Sequence, residues 1–265
     1  MRTLLLALAT AAATIGSASA SELHVLAAGS LREVIGEIAG RYHTATGVAV
    51  TADFGPSGVL RERIEKGEKA DLLTSADMGH PLKLLADGRA TRVAMFTRNA
   101  LCAFAMPKVG LTSANFAERL LDPAVKLGTS TPKADPAGDY TWLMFHRIDA
   151  LRPGAYATLD GKAQKIVGGA GAATGDPVAD GFKSGTIDVM IGYCSGRQRM
   201  AKAVPGLAAV EAPKEIAAGP EYGLAILKGA DPHTADFALY MLSPEGQRIF
   251  AQFGFAPVGL PTPAP

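Results

Sequence analysis

Three short segments of this chain have the residue types of an anion site built without lysine or arginine: Gly29-Ser30, Gly55-Pro56-Ser57-Gly58 and Asp135-Pro136-Ala137-Gly138. Each stands where an apolar stretch gives way to a helical pattern. A helix N-terminus presents unpaired N–H groups and about half a unit of positive charge. Together these hold an anion with no basic side chain. Glycine and alanine let a ligand approach the backbone closely, and a serine hydroxyl adds a rotatable donor. Several such termini converging would cage a dianion within neutral walls. Singly, each segment is also ordinary capping chemistry, since Ser and Gly stabilise a helix start.

The elements that must position these segments follow from periodicity. Glu22 to Ala28 reads as a strand. Leu31, Val34, Ile35, Ile38 and Tyr42 then recur at helical spacing. Val48 to Phe54 reads as a second strand, Val59 to Lys66 as a helix, Ala70 to Thr74 as a third strand and Pro81 to Ala86 as a helix. Strand alternating with helix means βαβ units and a parallel sheet. The pattern restarts beyond Pro107. A strand is expected within Leu121 to Gly128, then a Pro-rich loop and a helix from Asp139 to Ile148. Ile166 to Gly169 and Asp188 to Tyr193 are further strands, with helices over Pro177 to Lys183, Thr234 to Leu242 and Glu245 to Phe253. Two α/β lobes are therefore expected. Open α/β sheets bind ligands at the carboxyl ends of their strands, where the three segments lie.

Composition narrows the partner. The chain opens with Arg2, an apolar run from Leu4 to Ala13 and the small-residue stretch Ala18-Ser19-Ala20, the pattern of a secretory signal peptide over 1–20. The run is too short for a membrane span, which needs ~20 residues. Removing 20 of 265 residues leaves 245, and removing Arg2 from 26 basic residues leaves 25 against 25 acidic ones. That balance argues against nucleic acid, which demands clustered Lys and Arg. It does not exclude an anion held by main-chain groups. Export permits a disulfide between Cys102 and Cys194, but two buried thiols would read the same way. The five histidines (24, 43, 80, 146 and 233) form no HxxxH pair, so no zinc site and no cofactor is expected.

Enzyme readings fail on spacing. Ser130-Thr-Pro-Lys133 matches S-x-x-K, yet Pro132 disfavours the helical turn that would align Ser with Lys. Gly55-Pro-Ser57-Gly58 lacks the spacing of a nucleophile elbow, and the Gly168–Gly175 run misses a dinucleotide-binding fingerprint by one residue.

Taken in order, Leu26-Ala-Ala-Gly-Ser30, Phe54-Gly-Pro-Ser57-Gly58, Lys69-Ala-Asp-Leu-Leu-Thr-Ser75-Ala-Asp77, Asp135-Pro-Ala-Gly-Asp-Tyr140, Ile191-Gly-Tyr193-Cys-Ser195 and Ser243-Pro-Glu-Gly-Gln247 with Phe253-Gly-Phe255 resemble the periplasmic molybdate-binding proteins of ABC transporters. The resemblance spans the whole mature chain. It implies an α/β fold of two lobes, each a mostly parallel sheet flanked by helices, joined by crossover strands at Leu101 to Met106 and Tyr222 to Leu227. Lobe one would comprise 21–102 and 222–265, and lobe two 103–221. The implied ligand set is Ser30, Ser57, Ala137, Gly175 and Tyr193, closing on molybdate or tungstate with no catalytic residue and no other metal. Tyr193 would otherwise read as a core aromatic at a strand end. The implied partner is a membrane permease, the implied location the periplasm, and the implied state a monomer. Pro56 and the polar loop from Thr129 depart from the family pattern, and Lys133 and Asp135 there stand near the expected cleft mouth. Other small anions (sulfate, phosphate or a carboxylate) and a sensor that docks on a receptor remain open.

Overall fold

The computed structural model describes residues 21–168 and 175–260. The expected signal peptide, Gly169 and the last residues of the tail lie outside them. The chain first lays down β1 (Glu22–Ala28), α1 (Arg32–Thr46), β2 (Ala49–Gly55), α2 (Ser57–Glu65), β3 (Leu72–Ser75), α3 (Gly79–Ala86) and β4 (Ala90–Arg98). It then builds β5 (Leu101–Ala105), α4 (Phe116–Leu121), β6 (Leu127–Ser130), α5 (Pro136–Leu151), α6 (Ala155–Lys162), β7 (Gln164–Val167), α7 (Pro177–Lys183), β8 (Val189–Tyr193), α8 (Arg197–Ala203) and β9 (Ala208–Glu211). It closes with β10 (Glu221–Leu227), α9 (Thr234–Leu242), α10 (Pro244–Gln252) and β11 (Ala256–Pro257).

Two sheets result, ordered β11-β4-β10-β3-β1-β2 and β7-β6-β8-β5-β9. β1 pairs in parallel with β2 and β3, and β6 with β7 and β8. β10 runs antiparallel to β3 and β4, and β5 antiparallel to β8 and β9. The expected parallel core is thus completed into a mixed sheet on each side, because the chain changes sheets and re-enters in the reverse direction. The change falls at Asn99-Ala100 and again over 212–220, in short stretches outside any strand, so β5 lies wholly in the second sheet and β10 in the first. β4 holds the apolar run Val93-Ala94-Met95-Phe96, a strand beyond those expected. It forms because β10 pairs along its full length.

Burial explains the layers. Leu23, Val25 and Ala27 of β1 enter one core, and Leu26 enters another with Leu60, Ile64, Leu73 and Leu84. Period-two alternation buries both faces of a central strand. Val34, Ile35, Ile38 and Tyr42 form the buried stripe of α1, which stops at Gly47 in a left-handed conformation. In the second sheet Cys102 and Cys194 are joined as a disulfide. It ties β5 to the end of β8, where Leu101 stands opposite Tyr193. The expected strand within Leu121 to Gly128 shifts to Leu127–Ser130, since α4 runs to Leu121 and Asp122 turns the chain.

Candidate functional site

The register of each sheet brings the anion-type segments together. Ala28 lies opposite Gly55, so β1 and β2 deliver Ser30 and Ser57 to the same edge. β6 and β8 run parallel and end at Ser130 and Tyr193. These carboxyl ends open on one cleft between the sheets, a cavity of about 590 Å³. Ser30, Ala137, Gly175 and Tyr193 line it. Ser57 does not, although its neighbours Pro56 and Ala76 do.

On the first-lobe side neither the 3-10 turn at Gly29–Leu31 nor α2 carries a capping side chain, and the Gly58 N–H of α2 is met by a main-chain carbonyl. Ser57 is 1% exposed, and its Oγ accepts the Ala76 N–H at 3.1 Å. Its own O–H remains free to donate. Ser30 Oγ lies 3.0 Å from the Tyr222 hydroxyl. Asn99 Oδ1 accepts from the Ala100 N–H at 2.9 Å, which places Nδ2 toward Tyr222 OH at 3.2 Å and Ser195 Oγ at 2.8 Å. Either hydroxyl of the Ser30–Tyr222 pair can donate, and with the Tyr222 proton on Ser30 Oγ the Ser30 proton is free for the cleft. Burial pushes the Tyr222 phenol far up, so it stays protonated as this relay requires.

On the second-lobe side the starts are closed. Asp135 caps α5, its Oδ1 accepting the Ala137 N–H at 3.2 Å. Asp176, beside Gly175, caps α7 by accepting from Val178 at 3.2 Å and Ala179 at 3.1 Å. Asp176 is paired with Arg199. Gly175 needs its glycine, with φ at +107°. Gly138 is equally constrained: a Cβ there would lie 2.6 Å from Thr131 C. Burial pushes the Asp135 carboxyl up. The Ala137 N–H and the Ser130 hydroxyl offset only part of this, and Asp139 and Asp77 push the same way as burial. The Tyr193 hydroxyl is buried with no hydrogen-bond partner. Burial raises that phenol well above its ordinary value, so it serves as a donor.

The lobes touch beside the cleft. The Gly58 N–H donates to the Ala134 carbonyl at 3.1 Å, and the Glu221 N–H to the Tyr140 hydroxyl at 3.3 Å. A Cβ at Gly58 would overlap the Lys133 carbonyl. The second glycine of the Gly-Pro-Ser-Gly segment thus makes room for the opposite lobe. Lys133 is exposed, in a left-handed conformation, and its N–H donates to Asp139 Oδ1 at 2.9 Å. Tyr222 and Asn99 escaped sequence reasoning, because both lie at the chain's crossings and no local pattern marks a residue that works through distant neighbours. Among the described residues no group of three or more His, Cys, Asp or Glu could hold a metal ion, and no helix is long and apolar enough to cross a membrane.

Residues 23–256 match the family model for bacterial extracellular solute-binding proteins. An uncharacterized protein of Pasteurella multocida is 34% identical over 241 residues, covering 89% of this chain and 98% of that one. The molybdate-binding protein ModA of Rhodobacter capsulatus is 26% identical over 248 residues, covering 90% and 89%. The solved structure of the sulfate-binding protein SubI from Mycobacterium tuberculosis shares the two-lobed fold with a TM-score of 0.76 at 18% identity, covering 90% of this chain and 87% of that one.

Proposed function

This chain belongs to the bacterial extracellular solute-binding proteins, and from that premise we propose that it is a non-catalytic periplasmic receptor of an ABC importer that captures a tetrahedral oxyanion, molybdate or tungstate, between its lobes. One observation carries the reading. Uncapped helix starts and the Ser30 hydroxyl from one sheet face an unpartnered, buried Tyr193 hydroxyl from the other across one cleft, with Ser57 buried beside the lining residues Pro56 and Ala76. A buried hydroxyl without a partner costs ~1–3 kcal/mol, which a ligand oxygen would recover. Ser30 and Ser57 would bind first. Gly175 and Tyr193 would complete the cage, with Ala137 at its wall and its N–H held by Asp135, as the lobes, 21–98 with 221–260 and 101–211, swing about Asn99-Ala100 and 212–220. Excluding water strengthens each hydrogen bond. An oxyanion of the wrong radius leaves donors unpaired, which makes selection a matter of size.

The ModA relative, named for molybdate, supports this ligand class. A second reading draws on the cavity itself. About 590 Å³ lies within the range of organic-ligand pockets, ~300–1,000 Å³. Phe54, Phe104, Val178 and Met190 give it apolar walls. A small organic acid or phosphate ester would place its charged head at the helix starts and its body against these side chains. Calorimetry with molybdate, tungstate, sulfate, phosphate and dicarboxylates separates the two. Tight binding of molybdate or tungstate sustains the first reading. Heat from an organic anion alone replaces it with the second.

A further inference from the structure

Asp135 occupies the one helix start in the cleft where an anion's partners are already taken by a carboxylate with no counter-ion. Its Oδ1 accepts the Ala137 N–H, and the residue lines the same cavity as the unpartnered Tyr193 hydroxyl. The neighbouring cap differs: Asp176 has Arg199 at its side. Asp135 has no ion pair among the described residues. The cations of the cleft, Arg32 and the Asp176-paired Arg199, form no ion pair with it, and Glu33 also lines the cavity. On its own segment stand Asp139 and the exposed Lys133, whose N–H serves Asp139. From the first lobe come Asp77 and, against Asp77, His80, which burial holds below its usual value and therefore neutral. From β8 and β10 come the protonated phenols of Tyr193 and Tyr222. Arg32 lines the cleft, with its guanidinium 4.5 Å from the Phe54 ring centroid.

We infer that the cleft holds its oxyanion with one shared proton, placed between the Asp135 carboxyl and a ligand oxygen. Two like charges side by side in one cleft disfavour each other's ionised form, so one is driven to take a proton. With a bare dianion such as molybdate or sulfate, the proton comes from solvent onto the Asp135 carboxylate, and its O–H donates to the ligand. With hydrogen phosphate the ligand brings the proton and donates it to Asp135. In both cases the other carboxyl oxygen keeps its bond from Ala137. Asp135 is thereby a specificity-determining residue. It discriminates against bare dianions as pH rises and favours oxyanions that carry a hydrogen. The inference rests on the cleft being an oxyanion site.

Proton linkage tests it. Calorimetric titrations of the wild-type protein with molybdate, sulfate and phosphate, repeated in buffers of different ionisation enthalpy, count the protons taken up. At a pH between the Asp135 pKa of the free protein and that of the complex, molybdate or sulfate binding is expected to take up about one proton. Affinity should be flat at low pH, fall about tenfold per pH unit above the Asp135 pKa of the free protein, and level off above that of the complex. Hydrogen phosphate should bind without uptake. Asp135→Asn keeps an oxygen for Ala137 and offers an N–H to the ligand, so it should bind molybdate without this pH dependence and lose affinity for hydrogen phosphate. Molybdate binding with no proton uptake by the wild-type protein at any pH, whatever the variant does, overturns the inference and leaves the oxyanion site standing. No heat from any of the three anions removes the site and the inference together. The proton count needs no variant to fold.

Discussion

At the first-lobe edge of the cleft, α2 begins behind Pro56 with no side chain on its N–H groups, whereas across the cleft α5 begins with the Asp135 carboxylate already on Ala137. The two edges also differ in bracing. The second is tied by the Cys102–Cys194 disulfide one residue beyond Tyr193, and the first is held by side-chain bonds through Ser57, Ser30 and Tyr222. The difference teaches how two buried helix starts satisfy their donors. At α2 the Gly58 N–H is met by the Ala134 carbonyl, and at α5 the Ala137 N–H is met by the Asp135 carboxylate, since an unsatisfied buried donor is costly. In the proposed function the edge without a side-chain cap is where a free anion lands, and the capped edge is where it is tested.

Four changes would break or sharpen this contrast. The largest effect should come from removing the brace. Cys102→Ala with Cys194→Ala should lower stability by about 3 kcal/mol in denaturant unfolding, with the loss confined to the second lobe. An unchanged unfolding curve would mean the disulfide braces nothing. Next come the two glycines. Gly138→Ala should cost about 2 kcal/mol of stability by overpacking inside the second lobe, as read from thermal unfolding. Gly58→Ala should leave each lobe's stability nearly intact and weaken anion binding by on the order of thirtyfold, because its Cβ meets the opposite lobe. Equal effects of the two on stability would show that the lobe contact at Gly58 is part of the folded core. A smaller effect is expected at Tyr193. Tyr193→Phe removes a hydroxyl with no partner, so unliganded stability should hold while affinity falls about tenfold in calorimetry.

The smallest effect is a pH dependence of stability. Asp135 is raised in the folded state, so between the ordinary carboxylate range and that raised value the folded protein holds a proton that the unfolded chain has lost. Stability should fall as pH rises through this window, and Asp135→Asn should remove that slope. Melting curves of both proteins across pH measure it. Identical slopes would place the Asp135 carboxyl in contact with water rather than in a buried cap.

Much of the architecture was legible because it is local. The stripe of α1, the Gly47 stop and the turn before α2 depend on residues within a few positions of one another. The same holds for Ser30, Ala137 and Tyr193, which stand at junctions that a strand-to-helix pattern marks and which line the cleft. Ser57 was legible as a junction but not in its bonding, since its partner Ala76 comes from another strand. Asp135 was legible as a helix-terminal charge. That its carboxylate also faces the cleft depends on how β6 meets the first lobe. The Asn99–Tyr222–Ser30 chain left no local trace.

By itself, then, the sequence determined the succession of strands and helices, the glycine and serine junctions and the near neutrality that leaves main-chain donors to bind an anion. Periodicity, capping and charge are properties of neighbours along the chain. Tertiary structure alone decided that Cys102 meets Cys194, that Gly58 meets the opposite lobe, and that one helix start in the cleft carries no capping side chain while another is already occupied by Asp135. Those outcomes depend on strand order and register, which bring together residues far apart in the chain and which no local pattern encodes.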